Sequence, residues 1–220
     1  MKRNWVTAVL LSSLVCGSTV WLASRSATGA PEAPAAASSK GTPNAATGNA
    51  STAAPAVDAR RALLARGEHL VLSSGCNDCH TPLKMGKNGP EPDMSRMLSG
   101  HPEQLKLPPP PAASMPWLVA AAATNTAWAG PWGVSFTANL TPDVETGLGG
   151  WSEAEFAQAI KNGRHRGRGR PVLPPMPIPA YRNFTDDELA AIFAYLGSIP
   201  ALKNHVPEPL PPTAPKGAHG

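Results

Sequence analysis

The stretch GCNDCHTPL, residues 75–83, constrains this chain more tightly than any other. It sets Cys76, Cys79 and His80 in a C-x-x-C-H array, in a sequence whose one other cysteine is Cys16. Cys16 lies in an apolar N-terminal run, so the foldable part of the chain has no third thiol. Two sulfurs and one imidazole must do whatever the array does.

Several chemistries use a C-x-x-C pair. A zinc site takes four ligands and normally a second Cys or His pair at short spacing, and none is present. A thioredoxin-like dithiol sits beside a βαβ pattern, and no strand pattern is legible here. A disulfide across so short a span is geometrically poor and leaves His80 without a role. Covalent haem attachment remains, and C-x-x-C-H is its signature. The two thiols add to the haem vinyl groups, and the short turn aims His80 at the iron as proximal ligand. The expected cofactor is therefore one haem c, held through Cys76 and Cys79.

The rest of the chain divides by composition. Lys2 and Arg3 precede a charge-free run over residues 4–24, so residues 1–26 read as a signal peptide or a membrane anchor with its positive end inside. Residues 6–23 suffice to span a bilayer. Thr7, Ser12, Ser13, Ser18 and Thr19 dilute that run, and no clean A-x-A cleavage site follows. Both readings imply export, to the periplasm or another extracytoplasmic space, either secreted or tethered by an uncleaved helix. Cys16 follows Val15, the wrong neighbour for lipidation. Residues 27–57 are almost wholly Ala, Pro, Ser, Thr, Gly and Asn and cannot bury enough apolar surface to offset their ordering entropy. As a disordered linker they reach roughly 30 Å, which favours the tether. The tail at 206–220, with PEPLPPTAP, reads as a second disordered piece, leaving 58–205 as the folded domain. The net charge of +4 is mild, and no basic block interleaved with aromatics points to nucleic acid.

Three main helices are expected in this domain. The first starts near Asp58, a good N-cap, and ends at Gly75. The second, WSEAEFAQAIKNG, opens on a Ser152/Glu155 capping box and closes at Gly163. The third, TDDELAAIFAYLGSIP, opens on a Thr185/Glu188 capping box and places Leu189, Ile192, Phe193 and Leu196 on one face. Residues 81–150 read as long irregular chain, rich in Gly and Pro. Three short helices cannot bury a full core, so a large apolar body must fill the centre, as a haem would.

A cytochrome that passes electrons is usually six-coordinate, and Met/His ligation raises its potential. Met176 is the favoured distal ligand, because Pro174, Pro175, Pro177 and Pro179 stiffen the backbone around it. Met115 is the nearest competitor. Met85, Met94 and Met97 read as packing residues; His69, His101 and His165 could in principle ligate iron but read rather as surface or loop histidines.

The pattern CHTPL…NLTPD…TGLG…W…PPMP…YRN.TD.EL.AI.AYL.SIP, over residues 67 to 207, resembles a class I c-type cytochrome of the exported kind related to dehydrogenase cytochrome subunits. The resemblance implies an all-α class I cytochrome c fold. About three main helices would wrap around one covalent haem, with a long irregular insertion between the attachment site and the second helix. It also implies a crossing of the first and last helices, here Gly67 and Val71 against Phe193 and Tyr195, and His80 and Met176 as axial ligands. Many such relatives carry two or three haems and serve membrane-bound dehydrogenases, whereas this sequence has a single C-x-x-C-H. The insertion would cover one haem edge. Trp132, Trp151, Asn139 and Thr141 stand between lining the pocket and plain packing. The cluster Arg164, His165, Arg166, Arg168 and Arg170 stands between a solvated loop and a positive patch with one propionate partner. The implied function is electron transfer between exported or membrane-bound redox proteins: a dehydrogenase, an oxidase or another cytochrome. The alternative is a haem enzyme or small-ligand sensor with an open or labile sixth iron position.

Overall fold

The computed structural model describes residues 53–111 and 118–212. Residues 1–26, read as a signal peptide or membrane anchor, most of the linker, Cys16 and Met115 lie outside them. Five helices are present among the described residues: α1 (Ala53–Ser73), α2 (Cys76–His80), α3 (Glu153–Asn162), α4 (Ile178–Tyr181) and α5 (Asp186–Leu196). No helix there is long and apolar enough to cross a membrane. Helix α1 begins at Ala53, five residues ahead of the expected Asp58.

The all-α expectation fails. Residues 81–150, read from the sequence as irregular chain, contain two antiparallel sheets. Strand β1 (Leu83–Gly86) pairs with β2 (Gly89–Pro92), and β4 (Ala127–Gly130) lies between β3 (Ala120–Ala121) and β5 (Gly133–Phe136). Both hairpins close over two residues flanked by glycines, Gly86-Lys87-Asn88-Gly89 and Gly130-Pro131-Trp132-Gly133. These strands have at most four residues and are rich in Gly, Ala and Pro, which carry weak strand propensity. Their order comes from pairing and from tertiary anchors rather than from a legible alternation.

The two long-range helices pack directly. At Gly67 an added Cβ would stand 2.0 Å from the Ala191 carbonyl oxygen and 2.7 Å from Tyr195 Cβ. Only hydrogen fits between α1 and α5 at this crossing. Phe193 instead packs on Phe156 of α3, with ring centroids 5.4 Å apart. Val71, Leu189, Ile192 and Leu196 then form the core with Phe156, Leu98 and Leu148. Leu98 comes from the insertion, so that segment contributes to the core rather than merely covering it.

Both capping boxes form. Ser152 Oγ accepts from Glu155 N at 3.2 Å while Ser152 N donates to Glu155 at 3.0 Å; Thr185 and Glu188 repeat this at 3.2 and 2.8 Å. The Ser152 backbone N–H, followed by Arg166, holds the Glu155 carboxyl below its usual range, and the Thr185 N–H does the same for Glu188.

The segment after α5 departs from the expected disordered tail. Residues 206–212 are placed, and Leu210 pairs with Val134 in an antiparallel bridge.

Gly67→Val should destabilise the fold by about 3 kcal/mol, as overpacking against backbone does. Gly197→Ala, whose new methyl meets nothing closer than 3.4 Å, should shift it by less than about 1 kcal/mol. Urea unfolding of the two variants checks this. A carboxyl with a depressed folded pKa contributes stability that is complete above its unfolded pKa and is lost as pH falls through the folded value. The double variant Glu155→Gln/Glu188→Gln should therefore lose less stability than wild type between pH 7 and about pH 3, measured by the same melts.

Candidate functional site

A turn delivers the C-x-x-C-H residues to one place. Gly75 adopts φ 73° just after α1, reversing the chain into the five-residue α2. So short a helix has almost no stability of its own and is held from outside. Thr81, fully buried, accepts from Leu98 N and donates to the Asn77 side chain, each at 2.9 Å. Gly100 N donates to the His80 carbonyl at 2.8 Å. Asn125 Nδ2 donates to the Asp78 carbonyl at 2.7 Å.

His80 is buried, and its Nδ1 donates to the Ala138 carbonyl at 2.7 Å. Burial pushes its pKa down, with the Ala138 bond opposing, so the ring is neutral. With the proton fixed on Nδ1, the Nε2 lone pair is free to bind a metal. Cys76 and Cys79 are free thiols. Burial is the main cause that pushes the Cys76 thiol up to about 11 and raises Cys79 as well, with Asp78 adding to both. Both shifts run opposite to the thiolate stabilisation that a reactive dithiol uses.

Cys76, Cys79, His80 and Met176 line one cavity of ≈ 360 Å³, within the range of about 300–1,000 Å³ usual for cofactor sites. Leu140, Leu148, Phe156 and Ile160 make much of its wall apolar. Met176 arrives on the proline loop before α4, where Ser135 Oγ donates to the Pro174 carbonyl at 2.5 Å and Ile178 N to the Met176 carbonyl at 2.9 Å. The Thr137 hydroxyl, buried on the same wall, has no hydrogen-bond partner. Two thiols, a neutral imidazole, a thioether and an unsatisfied hydroxyl around a mostly apolar space fit a covalently held haem.

The remaining candidates separate. Trp151 and Asn139 line the cavity; Trp132 and Thr141 do not. Asn139 and Thr141 act chiefly as a joint, since Asn139 Oδ1 accepts from both the N–H and the hydroxyl of Thr141, and Asn139 Nδ2 donates to the Leu202 carbonyl at 2.8 Å. His101, read as a surface or loop histidine, lies in a loop but is fully buried. Its ring nitrogens engage Thr126 Oγ1 at 3.0 Å and the Leu105 carbonyl at 3.3 Å, so neither is free for iron. His165 lines the cavity with its ring edge-on to Trp151. The arginine cluster is largely folded back on the protein. Arg166 lies over Trp151 and bonds Glu155 at 3.0 Å, with Arg168 at 3.7 Å from the same carboxylate. Arg170, also on the cavity, pairs with Glu208 at 3.0 Å.

Two contributors have no clear mark in the sequence. The Ala138 carbonyl is a backbone atom that no motif identifies. Tyr181, which lines the cavity and donates to the Ser74 carbonyl, has its phenol pushed up to about 12, chiefly by burial; its place in PAYRN gave the only signal.

No protein-family model matches the chain. It is 30% identical over 159 residues, 71% of its length, to the cytochrome c subunit of a quinone alcohol dehydrogenase from Gluconobacter oxydans, covering 26% of that protein. It is 30% identical over 149 residues to the gluconate 2-dehydrogenase cytochrome c subunit of Pantoea cypripedii, covering 67% of this chain and 26% of that one. A shorter match, 39% over 77 residues, reaches a nicotinate dehydrogenase subunit from Pseudomonas putida, covering 35% of this chain and 6% of that protein. The chain thus spans about a quarter or less of these relatives. It is a cytochrome c related to the cytochrome subunits of dehydrogenases.

Proposed function

We propose that this protein is an electron carrier, not a catalyst, built on one haem c attached through Cys76 and Cys79 with His80 and Met176 as axial ligands. The observation that carries this reading is the convergence of those four side chains on a single cavity. When bound, haem supplies a one-electron iron couple.

The chain's own residues do the rest. The Ala138 carbonyl fixes the His80 tautomer and raises the basicity of Nε2. Met176 offers a soft thioether on a loop that its prolines keep from rearranging, which favours the reduced metal and a higher potential. Leu140, Leu148, Phe156 and Ile160 keep water away and lower the local dielectric. Arg166 and Arg168 share Glu155, and Arg170 meets Glu208, so carboxylates offset much of the loop's charge. The positive field there is weaker than the sequence suggests, and steering of an acidic partner by this loop is modest.

The relatives are named as cytochrome subunits of alcohol, gluconate and fructose dehydrogenases. By analogy a dehydrogenase is the electron donor here, and the charge-free N-terminal run supports an exchange outside the cytoplasm, by a protein secreted or tethered to the membrane.

The oxidised protein should show the weak red-edge sulfur-to-iron band. Met176→Ala should abolish it, lower the potential and open the reduced iron to carbon monoxide, while the haem stays attached in denaturing gels. Wild-type protein that already binds carbon monoxide readily would favour an enzyme or sensor with a labile sixth position instead. Cys76→Ser/Cys79→Ser should lose essentially all covalent haem stain.

A further inference from the structure

Residues 202–212 follow the last helix and carry Pro207, Pro209, Pro211 and Pro212, a composition that reads as a free tail. The structure puts them to another use. Asn204 is buried, 3% exposed, and both ends of its side chain are bonded. Its Oδ1 accepts from Glu103 N at 2.9 Å, and its Nδ2 donates to the Ser99 carbonyl at 2.7 Å and the His101 carbonyl at 2.9 Å. Its backbone N–H donates to Thr146 Oγ1 at 3.0 Å. One asparagine thus ties the end of the chain to two segments of the insertion.

Six residues later the chain is caught again. Val134 and Leu210 exchange both backbone hydrogen bonds, each 2.9 Å. Gly133 permits that approach: it adopts φ 96°, and a Cβ there would stand 2.0 Å from the Leu210 carbonyl oxygen. Between the two fastenings, every residue from 205 to 209 lines the cavity that holds Cys76, Cys79, His80 and Met176. Pro207 and Pro209 lack N–H groups and hold φ fixed, so the span cannot extend the sheet and loses little entropy when ordered. The Arg170–Glu208 pair bridges the same gap, but Glu208 is 82% exposed on its side chain, so the pair adds little.

We propose that residues 204–210 are a strap closing one side of the cofactor cavity, with Asn204 and the Val134–Leu210 pair as its positioning residues. The strap limits the access of water and small ligands to the metal. This rests on the haem assignment above. A strap that opens admits water, which stabilises the more highly charged oxidised site and so lowers the potential.

The test uses the full-length haem-loaded protein and two variants that leave the cavity-lining residues untouched. Leu210→Pro removes one donor of the bridge at a half-exposed position, and Gly133→Ala pushes against the Leu210 carbonyl. Amide exchange is followed at Val134 and, in Gly133→Ala and wild type, at Leu210, with imidazole binding to the oxidised iron and the midpoint potential measured alongside. Both amides should be protected in wild type and exchange at least tenfold faster once the bridge is broken. Imidazole association should accelerate at least tenfold and the potential should fall. Unprotected amides in wild type would overturn the strap itself, and a broken bridge with unchanged imidazole kinetics and potential would overturn its sealing role. A colourless protein with protected amides would sink the haem assignment and the sealing role with it, while leaving the closure demonstrated.

Discussion

The hydrogen bond from His80 Nδ1 to the Ala138 carbonyl is the constraint on which the site depends. A helix of five residues cannot orient its own last side chain. The imidazole is aimed because residue 138 is fixed, and residue 138 is fixed by the sheet that precedes it. Thr137 N donates to the Thr126 carbonyl, His101 N to the Thr137 carbonyl, and Leu140 N to the Leu98 carbonyl. The insertion therefore belongs to the support of His80. Losing it would leave the sulfurs on their turn but release the ring.

The packing shows the same dependence. The α1–α5 crossing at Gly67 anchors one side of the domain, and the core around Leu189, Ile192 and Leu196 reaches Leu98 and Leu148 from the chain between α2 and α3. Leu148 and Phe156 belong both to this core and to the wall of the cavity. Its walls include the apolar side chains of Leu140, Leu148, Phe156 and Ile160. A flat apolar cofactor would complete the burial, and its loss would remove stability as well as function.

What was legible in the sequence was local. The capping boxes at Ser152 and Thr185 depend on residues three apart, and both form. Gly75 and Gly163 mark chain reversals whose positive φ few other residues adopt. The C-x-x-C-H spacing and the proline-flanked Met176 are likewise short-range patterns, and the structure gathers their side chains. The sheets were missed because strands of two to four residues, rich in Gly, Ala and Pro, carry no period; the paired glycines around each two-residue turn were the sole trace. The burial of His101 in its loop left no mark, because it depends on Thr126 and on the Leu105 carbonyl, which no local pattern links to it. The strap was missed for a sharper reason. Its prolines forbid regular structure, and its order comes from Asn204 and Val134, whose partners lie far away in sequence.

Proline thus plays two roles here that composition alone cannot separate. In the loop before α4 it surrounds Met176, and the Ser135 hydroxyl holds the Pro174 carbonyl. In the strap it spaces Asn204 from Leu210 across the same cavity. Ser135 and Val134 are adjacent in β5, so one short strand fastens the methionine loop through a side chain and the strap through its backbone. Movement of β5 would displace both together. Both proline-rich walls of the site are thus fastened to one strand, and each depends for its position on where β5 lies.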